Sequence, residues 1–237
     1  MRHFSNFFER YGMRMNTKKT EYVEHGVQEQ GTISVGGADL PKSEEFRYLG
    51  SLVTTDGNSA SATTARVSAG WLKWRATTGV LCDKRIPERL KGKAYRTIIR
   101  PALLYGSETL AQSAKADRIL NAAEMKMLRW PLGLTRLDKV RNEDVRKRMG
   151  VATIMEKAQE KRLRWYGHLR RMEPDGVARR AMDMEVKGKR PKGRPKLRWM
   201  DAINKDLTAR GLQPKDASDR LRWRKMTRHA DPVTKRE

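Results

Sequence analysis

The sequence changes its periodicity at residues 46–57, which read Phe46-Arg47-Tyr48-Leu49-Gly50-Ser51-Leu52-Val53 and then Thr54-Thr55-Asp56-Gly57. Aromatic and β-branched residues on either side of Gly50 predict a pair of strands that ends at Asp56-Gly57. Short strands and tight turns are predicted before this stretch, and helices after it. We therefore predict an α+β fold that is mainly α, with a small N-terminal β-hairpin region followed by helices.

The residues before this strand pair predict a short helix and two further strands. Phe4, Phe7, Phe8 and Tyr11 recur at helical spacing, and Gly12 is predicted to end that helix. Strands are predicted at residues 20–23 and 32–35, with a tight turn at Gly36-Gly37.

After Gly57 the apolar residues recur at the spacing of three and four residues that is typical of helices. The first predicted helix starts at Ser59 or Ser61, the second ends at Pro101, and the third ends near Pro131 and Gly133. The inward residues predicted for these helices are Val67, Trp71, Trp74, Thr78 and Leu81, then Leu90, Ala94, Ile98 and Ile99, then Ile119, Leu120, Ala123, Met127 and Leu128.

Four more helices are predicted in the second half of the chain. Asn142 is predicted to cap a helix that stops at Gly150, and the capping box from Thr153 to Glu156 opens the next helix. The inward residues predicted for the last three helices are Ala158, Trp165, Leu169 and Met172, then Trp199, Ile203 and Leu207, then Leu221, Trp223 and Met226. The tryptophans at positions 71, 74, 130 and 165 are expected in the core rather than on a base-stacking surface.

The charge of the chain points to a partner rather than to a fold. Of its 237 residues 52 are basic and 28 acidic, which gives a net charge of +24. A charge of that size and sign predicts a polyanionic partner, most often nucleic acid. Cys82 is the single cysteine and the four histidines have no ligand spacing, so no metal site is predicted. Without a signal peptide or a long apolar run, we expect an intracellular protein, nuclear or cytoplasmic, with no membrane partner.

A basic segment from Lys187 to Arg198 contains two prolines, two glycines, one apolar residue and no acid. Such a composition cannot form a core and predicts an exposed linker. Its Gly193-Arg194-Pro195 is similar to the AT-hook, in which an arginine enters the narrow minor groove of A·T-rich DNA. A nuclear-localisation signal and a phosphate-binding linker are equally open. The residues predicted to contact nucleic acid are Lys187, Lys189, Arg190, Lys192, Arg194, Lys196 and Arg198.

The helix that follows the capping box has basic residues around its apolar face. We predict that Arg162, Arg164, Arg170 and Arg171, with Lys157 and Lys161, form a solvated surface that contacts phosphates. Together with the helix after Asn142 it could instead imitate a helix-turn-helix that reads the major groove.

Two segments together carry a resemblance to a known family. Gly12-Met13-Arg14-Met15-Asn16-Thr17-Lys18-Lys19-Thr20-Glu21 and the 46–53 stretch resemble the end of the palm of non-LTR retrotransposon reverse transcriptases. The resemblance continues, in order, through residues 69–75, 95–106, 123–130, 164–168 and 193–199, and is similar to the RTE and related clades. It implies a palm remnant at residues 1–57, a helical thumb at 58–135, a basic helical region at 136–185, a linker at 186–198 and C-terminal helices at 199–237.

The resemblance also implies roles for individual residues. Lys19 would lie beside the incoming nucleotide, where a mobile cation can assist phosphate chemistry. Phe46, Tyr48, Leu49 and Gly50 would correspond to the hairpin that grips the primer, although alternate aromatic residues in a strand usually pack in the core. The partners implied are an RNA template and a DNA target or primer.

The catalytic carboxylates of the family have no counterpart in the sequence. Polymerisation by two Mg²⁺ ions needs clustered aspartates, which in the family precede these motifs, and no Asp-Asp pair occurs in this chain. We expect a chain that begins within the palm, needs no cofactor of its own and is inactive as a polymerase by itself. The alternative is a stand-alone DNA-binding or chromatin-associated module built on the AT-hook-like segment.

Overall fold

The computed structural model describes residues 7–24, 31–48, 51–55, 59–111, 113–185 and 197–232. The chain divides into two compact units, residues 1–65 and residues 66–237. Most described residues are helical, and two antiparallel strand pairs lie near the N-terminus. The predicted class, α+β and mainly α, is confirmed.

The N-terminal unit contains two β-hairpins and short helical turns. Residues 7–10 are helical, as predicted, and a 3₁₀ turn spans Thr17–Lys19. Strands β1 (Ser34–Val35) and β2 (Ala38–Asp39) pair around Gly36 and Gly37, whose φ angles of 58° and 80° allow the tight turn. Strands β3 (Glu45–Tyr48) and β4 (Ser51–Thr54) pair with Phe46 opposite Val53, which confirms the predicted strand pair.

Two strand predictions in this unit are wrong in extent. Residues 20–23 form no strand; Tyr22 makes an isolated parallel bridge with Lys42. The strand predicted at 32–35 is reduced to Ser34–Val35. A small core of Tyr22, Val35 and Leu40 organises this region, with Met15 and Ile33 against it.

The expectation that Phe46 and Tyr48 would pack in a core is also wrong. Tyr48 is 61% exposed and Phe46 is 37% exposed. Among the residues that the structure describes, each sheet has two strands, and every residue of β3 is exposed. The alternating aromatic residues therefore predicted the strand pair correctly but not a buried face. Two strands alone cannot cover the aromatic side chains that they carry.

The helices have the following bounds: α1 Ser59–Ala76, α2 Thr78–Leu81, α3 Glu88–Ala94, α4 Arg100–Leu103, α5 Ala114–Arg129, α6 Asn142–Met149, α7 Ile154–Arg170, α8 Val177–Asp183, α9 Trp199–Arg210 and α10 Arg220–Thr227. The 3₁₀ turns Ser107–Thr109, Trp130–Leu132 and Pro214–Ser218 lie between them. Gly133, Gly150 and Gly211 end helical segments with φ angles of 60–66°, at the predicted positions. Helix α8 was not predicted, and the predicted first helix is divided between α1 and α2.

A π-helical turn at Tyr95–Ile99 joins α3 to α4 and corrects the prediction for this segment. Helical structure continues through Pro101, which lies in the first turn of α4, where a backbone N–H needs no partner within the helix. The buried face of this segment includes Ile99, as predicted, but otherwise differs from the prediction. Lys91, Tyr95, Ile99 and Leu103 are buried, whereas the predicted Leu90 and Ile98 are 53% and 42% exposed.

The larger core of the helical unit contains Trp74, Ile99, Leu128, Met149 and Ile154, drawn from α1 to α7. A buried polar network crosses it at Glu124, which is fully buried. Its carboxylate accepts hydrogen bonds from Tyr95 Oη (3.1 Å), Arg146 Nη2 (2.9 Å) and the backbone N–H of Ile154 (3.3 Å). Burial raises the pKa of Glu124, and the Arg146 guanidinium acts against that rise.

The smaller core joins α7 to α9 and α10 through Leu163, Tyr166, Ile203, Leu207 and Trp223. Trp223 is 1% exposed, and its indole N–H donates to the carbonyl of Leu163 at 2.8 Å. A Cβ atom added at Gly167 would lie 2.2 Å from Nε1 of Trp223, so the glycine permits this contact.

The segment after α10, residues 228–232, is bound to the larger core. Asp231 accepts two hydrogen bonds from Arg100, at 2.6 and 2.7 Å, and one from the backbone N–H of Ala152 at 2.9 Å. Lys157 donates to the carbonyl of His229 at 2.8 Å. We call residues 228–232 the C-terminal strap.

Candidate nucleic-acid interface

Helix α7 supplies most of the basic side chains that the structure describes among the predicted contacts. The predicted capping box opens it: Thr153 Oγ1 accepts from the backbone N–H of Glu156 at 3.1 Å, and the Glu156 carboxylate accepts from the backbone N–H of Thr153 at 3.0 Å. Leu163, Tyr166 and Leu169 are buried on one side of the helix. The basic residues therefore differ in what they contact according to their position around the axis.

Arg162 is not part of a solvated face, and that prediction is wrong for this residue. Arg162 is 7% exposed, and its Nε donates to Asp206 Oδ2 at 2.8 Å. Asp206 is itself 6% exposed, so the pair connects α7 to α9 inside the protein. An arginine that is buried against its carboxylate partner is not presented to a phosphate.

Lys161 and Arg164 are exposed to a larger extent but already have partners. Lys161 Nζ donates to the carbonyl of Leu104 at 2.9 Å and lies 3.7 Å from Oε2 of Glu108. Arg164 pairs with Glu160, which also accepts from Lys157. Their charges are therefore partly neutralised by neighbouring carboxylates.

The end of α7 carries a concentration of arginines that we call the arginine patch: Arg170, Arg171, Arg179 and Arg220. Arg179 Nη1 donates to the carbonyl of Arg170 at 3.1 Å, and Arg179 pairs with Asp183. Arg171 Nη1 donates to the carbonyl of Ala217 at 2.6 Å. Arg170 and Arg220 are exposed, and neither has a carboxylate within ion-pair distance among the described residues.

The arginine patch is a site of electrostatic repulsion. Burial, and then the positive charge of Arg220, lower the pKa of the Arg171 guanidinium. Arg171 is held in this environment by its hydrogen bond to the carbonyl of Ala217, and Arg220 is exposed beside it. An anion placed against this end of α7 would relieve the repulsion.

The remaining predicted residues lie elsewhere. Lys187, Lys189, Arg190, Lys192, Arg194 and Lys196 are outside the described residues. Arg198 is exposed and directly precedes α9, where its backbone N–H donates to Asp201 Oδ2 at 2.9 Å. Asn142 is the first residue of α6 rather than its cap, and its Oδ1 accepts from Arg129 Nη2 at 3.0 Å.

The residues carried over from the palm lie in the N-terminal unit. Lys19 ends the 3₁₀ turn Thr17–Lys19 and is exposed. Phe46 and Tyr48 are exposed on β3, and Leu49 and Gly50 are outside the described residues. In the ranges that the structure describes, no group of three or more His, Cys, Asp or Glu side chains could hold a metal ion.

Three features of the surface were missed from the sequence. Arg179 and Arg220 belong to the arginine patch because of tertiary contacts, which no local sequence pattern predicts. Trp130, expected in the core, is 66% exposed. Trp165 is only partly buried and stacks on His168 with ring centroids 5.3 Å apart. The proline after Trp130 was no usable signal, because the backbone of Trp130 is helical (φ −55°, ψ −51°) in spite of Pro131.

Comparison with known proteins gives one similarity. The chain is 26% identical over 212 residues to a Caenorhabditis elegans protein described as transposon-derived and uncharacterized; the match covers 84% of this chain and 74% of that protein. No protein-family model matches the chain, and no solved structure matches it. In the described ranges no helix is long and apolar enough to cross a bilayer.

Proposed function

We propose that this chain binds nucleic acid through phosphate contacts, as the template- and primer-holding part of a retrotransposon reverse transcriptase. The observation that carries the binding proposal is the arginine patch, in which Arg170 and Arg220 are exposed without an acidic partner among the described residues. The net charge of +24 supplies the long-range attraction.

The transposable-element part of the proposal has separate support. The similarity to a transposon-derived protein of Caenorhabditis elegans favours an origin in a transposable element. The narrower assignment to a reverse transcriptase comes from the ordered motifs, of which the 46–53 hairpin is the most specific. Arginine clusters without base-reading geometry favour binding to the backbone rather than to a particular sequence.

Binding is tested by measuring affinity for a 20-base-pair duplex and a single-stranded 20-mer over a range of salt concentrations. We expect the logarithm of the binding constant to fall steeply with the logarithm of salt, since bound counterions are released. The double variant Arg170→Ala, Arg220→Ala should weaken binding to both nucleic acids and reduce the salt slope by about 2.

The matched control is Arg75→Ala with Lys93→Ala, which removes two exposed charges from α1 and α3. It should have a smaller effect than the patch variant. Equal losses for the two double variants would show that net charge, and not the arginine patch, carries the binding. Absence of binding at low salt would overturn the proposal.

The polymerase part is tested by primer extension on an RNA template with Mg²⁺. We propose that the isolated chain does not incorporate nucleotides, because its sequence has no Asp-Asp pair to hold two metal ions. Incorporation above the level of a Lys19→Ala variant would contradict this and would assign Lys19 a role near the nucleotide.

The second candidate, an AT-hook-like module, rests on Gly193-Arg194-Pro195 within its basic segment. It predicts that Arg190→Ala with Arg194→Ala abolishes a preference for A·T-rich over G·C-rich duplex. Equal weakening on both duplexes would favour a phosphate-binding linker instead.

A further inference from the structure

Trp130 is exposed in a place where the surrounding backbone is held firmly. It begins the 3₁₀ turn Trp130–Leu132, which follows α5 directly, and Gly133 then reverses the chain with a φ angle of 66°. Lys91, which is buried, donates to the carbonyl of Pro131 at 3.1 Å. The exposure of Trp130 is therefore a property of the folded backbone and not of a loosely attached segment.

The loop after Trp130 is fixed by Arg129. Its Nη1 donates to the carbonyl of Thr135 at 3.0 Å, and its Nη2 donates to the carbonyl of Val140 at 2.6 Å. The Asp138 carboxylate accepts from the backbone N–H of Thr135 at 2.6 Å and from its hydroxyl at 2.9 Å. These bonds give residues 133–140 a defined course beside the indole ring.

The ring of Trp130 is supported on one side. Its centroid lies 5.6 Å from that of Trp74, with the planes at 65°, and Trp74 is anchored by its indole N–H to the carbonyl of Met127 at 3.1 Å. Trp130 is nevertheless 66% exposed, and its own indole N–H has no acceptor among the described residues. An aromatic surface of this size, oriented by a neighbour and left uncovered, is suited to receive another planar ring.

A groove of about 440 Å³ lies beside the ring. Trp130 and Leu134 form its apolar part, and its other lining residues include Lys126, Arg129 and Arg136. Its volume is within the range of sites that hold small organic ligands. Lys126 lies one helical turn before Trp130, and Lys126 and Arg136 have no ion-pair partner among the described residues.

From this geometry we propose that Trp130 is a base-stacking platform for single-stranded nucleic acid, with Lys126 and Arg136 contacting the phosphates beside the stacked base. The proposal rests on the proposed function, since it names one subsite of the nucleic-acid surface. Charge complementarity selects the occupant: two cations without acidic partners flank an exposed aromatic ring on a strongly basic chain. Stacking needs no particular base, so this subsite distinguishes unpaired from paired nucleotides rather than one sequence from another.

The test compares three 20-mers at one salt concentration: a single strand, the same strand with abasic sites throughout, and a duplex. Trp130→Ala should weaken binding of the single strand about ten-fold or more, because stacking on an aromatic ring contributes substantially per base. Binding of the abasic strand, and the slope of affinity against salt, should be unchanged. Trp130→Phe keeps a ring beside Trp74 and should retain part of the affinity.

Lys126→Ala with Arg136→Ala should instead weaken the single strand and the abasic strand alike and reduce the salt slope, because it removes phosphate contacts. Leu137→Ala is the control in the same loop, since Leu137 is 88% exposed and does not line the groove. It should leave all three affinities unchanged.

Each outcome separates this inference from the proposed function. If the unmodified chain binds neither strand, the proposed function fails. If the unmodified chain binds both strands, but Trp130→Ala and Trp130→Phe change the affinities for the single strand and the abasic strand equally, the stacking platform is overturned while phosphate binding stands. If Trp130→Ala instead abolishes self-association, seen by light scattering, without changing affinity for the single strand, the groove is a protein interface and the inference is also overturned.

Discussion

The aromatic residues of strand β3 in the N-terminal unit and those in the cores of the helical unit differ sharply in exposure. In the N-terminal unit, β3 exposes Phe46 and Tyr48, and the buried apolar residues are few. In the helical unit, Tyr95 and Trp223 are 1% exposed and each makes a hydrogen bond in the core. The difference follows from layering: a helical unit can surround its aromatic residues, whereas two-stranded hairpins offer no second layer. Contacts between helices should therefore contribute most of the free energy of unfolding. Four measurements test this expectation.

The largest effect is expected at the crossing of α3 and α6. A Cβ atom at Gly92 would lie 1.7 Å from the carbonyl oxygen of Met149, a backbone atom that cannot rotate away. Gly92→Ala should lower the free energy of unfolding by about 4 kcal/mol or more, measured by urea denaturation. Gly79→Ala is the control, because nothing lies within 4 Å of its added Cβ. If both variants lower the free energy of unfolding by a similar amount, the close packing of α3 against α6 at Gly92 does not explain the loss.

Substitution of Glu124 tests how much the buried polar network contributes to the stability of the larger core. Glu124→Gln keeps the size of the side chain but removes the charge that faces Arg146, so a buried cation loses its counterion. We expect a loss of about 3 kcal/mol. Glu88→Gln, which removes the partner of Arg148 at an exposed pair, should cost about 0.5 kcal/mol. If the two variants are equal, the network contributes no more than a surface pair.

Acid should weaken the attachment of the C-terminal strap. Burial, and then the charge of Arg210, lower the pKa of His229 below its usual 6.5, although the carboxylates of Glu156 and Glu160 oppose this. The unfolded chain therefore takes up this proton first, so the stabilisation is complete above the unfolded pKa and decreases as the pH falls through it.

This pH effect should be smaller than that of Glu124→Gln and is measured as the unfolding temperature between about pH 7.5 and 5.5. His229→Gln should flatten the dependence, and His168→Gln, at an exposed histidine, should leave it in place. An unchanged pH profile in His229→Gln would contradict the assignment.

The smallest effect is expected on β3. Tyr48→Thr retains strand propensity and removes a mostly exposed ring, so the free energy of unfolding should change by no more than about 0.5 kcal/mol. Leu40→Ala, in the small core of the same unit, should cost about 2–3 kcal/mol. A large loss in Tyr48→Thr would show that the ring of Tyr48 makes stabilising contacts although 61% of the residue is exposed.

Local signals predicted the elements well where one residue type dictates a conformation. Gly150 and Gly211 ended helices where expected, and the capping box at Thr153 opened α7. The π-helical turn could not be predicted in this way, since one additional residue per turn leaves no compositional trace. Within this turn Ile99 is buried as predicted, whereas Tyr95 is buried without having been predicted and the predicted Ile98 is exposed.

The candidate interface was predictable only in part. Positive charge in the sequence singled out Arg162, Arg164, Arg170 and Arg171 alike, but charge alone does not tell a solvated arginine from one that pairs with a distant acid. The partner of Arg162 is Asp206, 44 residues further along the chain. Likewise, the apolar character of Trp130 favoured burial, whereas the tertiary fold leaves it 66% exposed.

The C-terminal strap has a consequence for how the protein is made. Arg100 and Asp231 are separated by 131 positions, and Arg100 is 7% exposed once they meet. A ribosome delivers Arg100, Ala152 and Lys157 well before the acid and carbonyl groups that bind them. Until Asp231 has been made, the nascent helices carry an arginine at the larger core without its counterion. The strap therefore makes completion of this core depend on a residue that is synthesised 131 positions after Arg100.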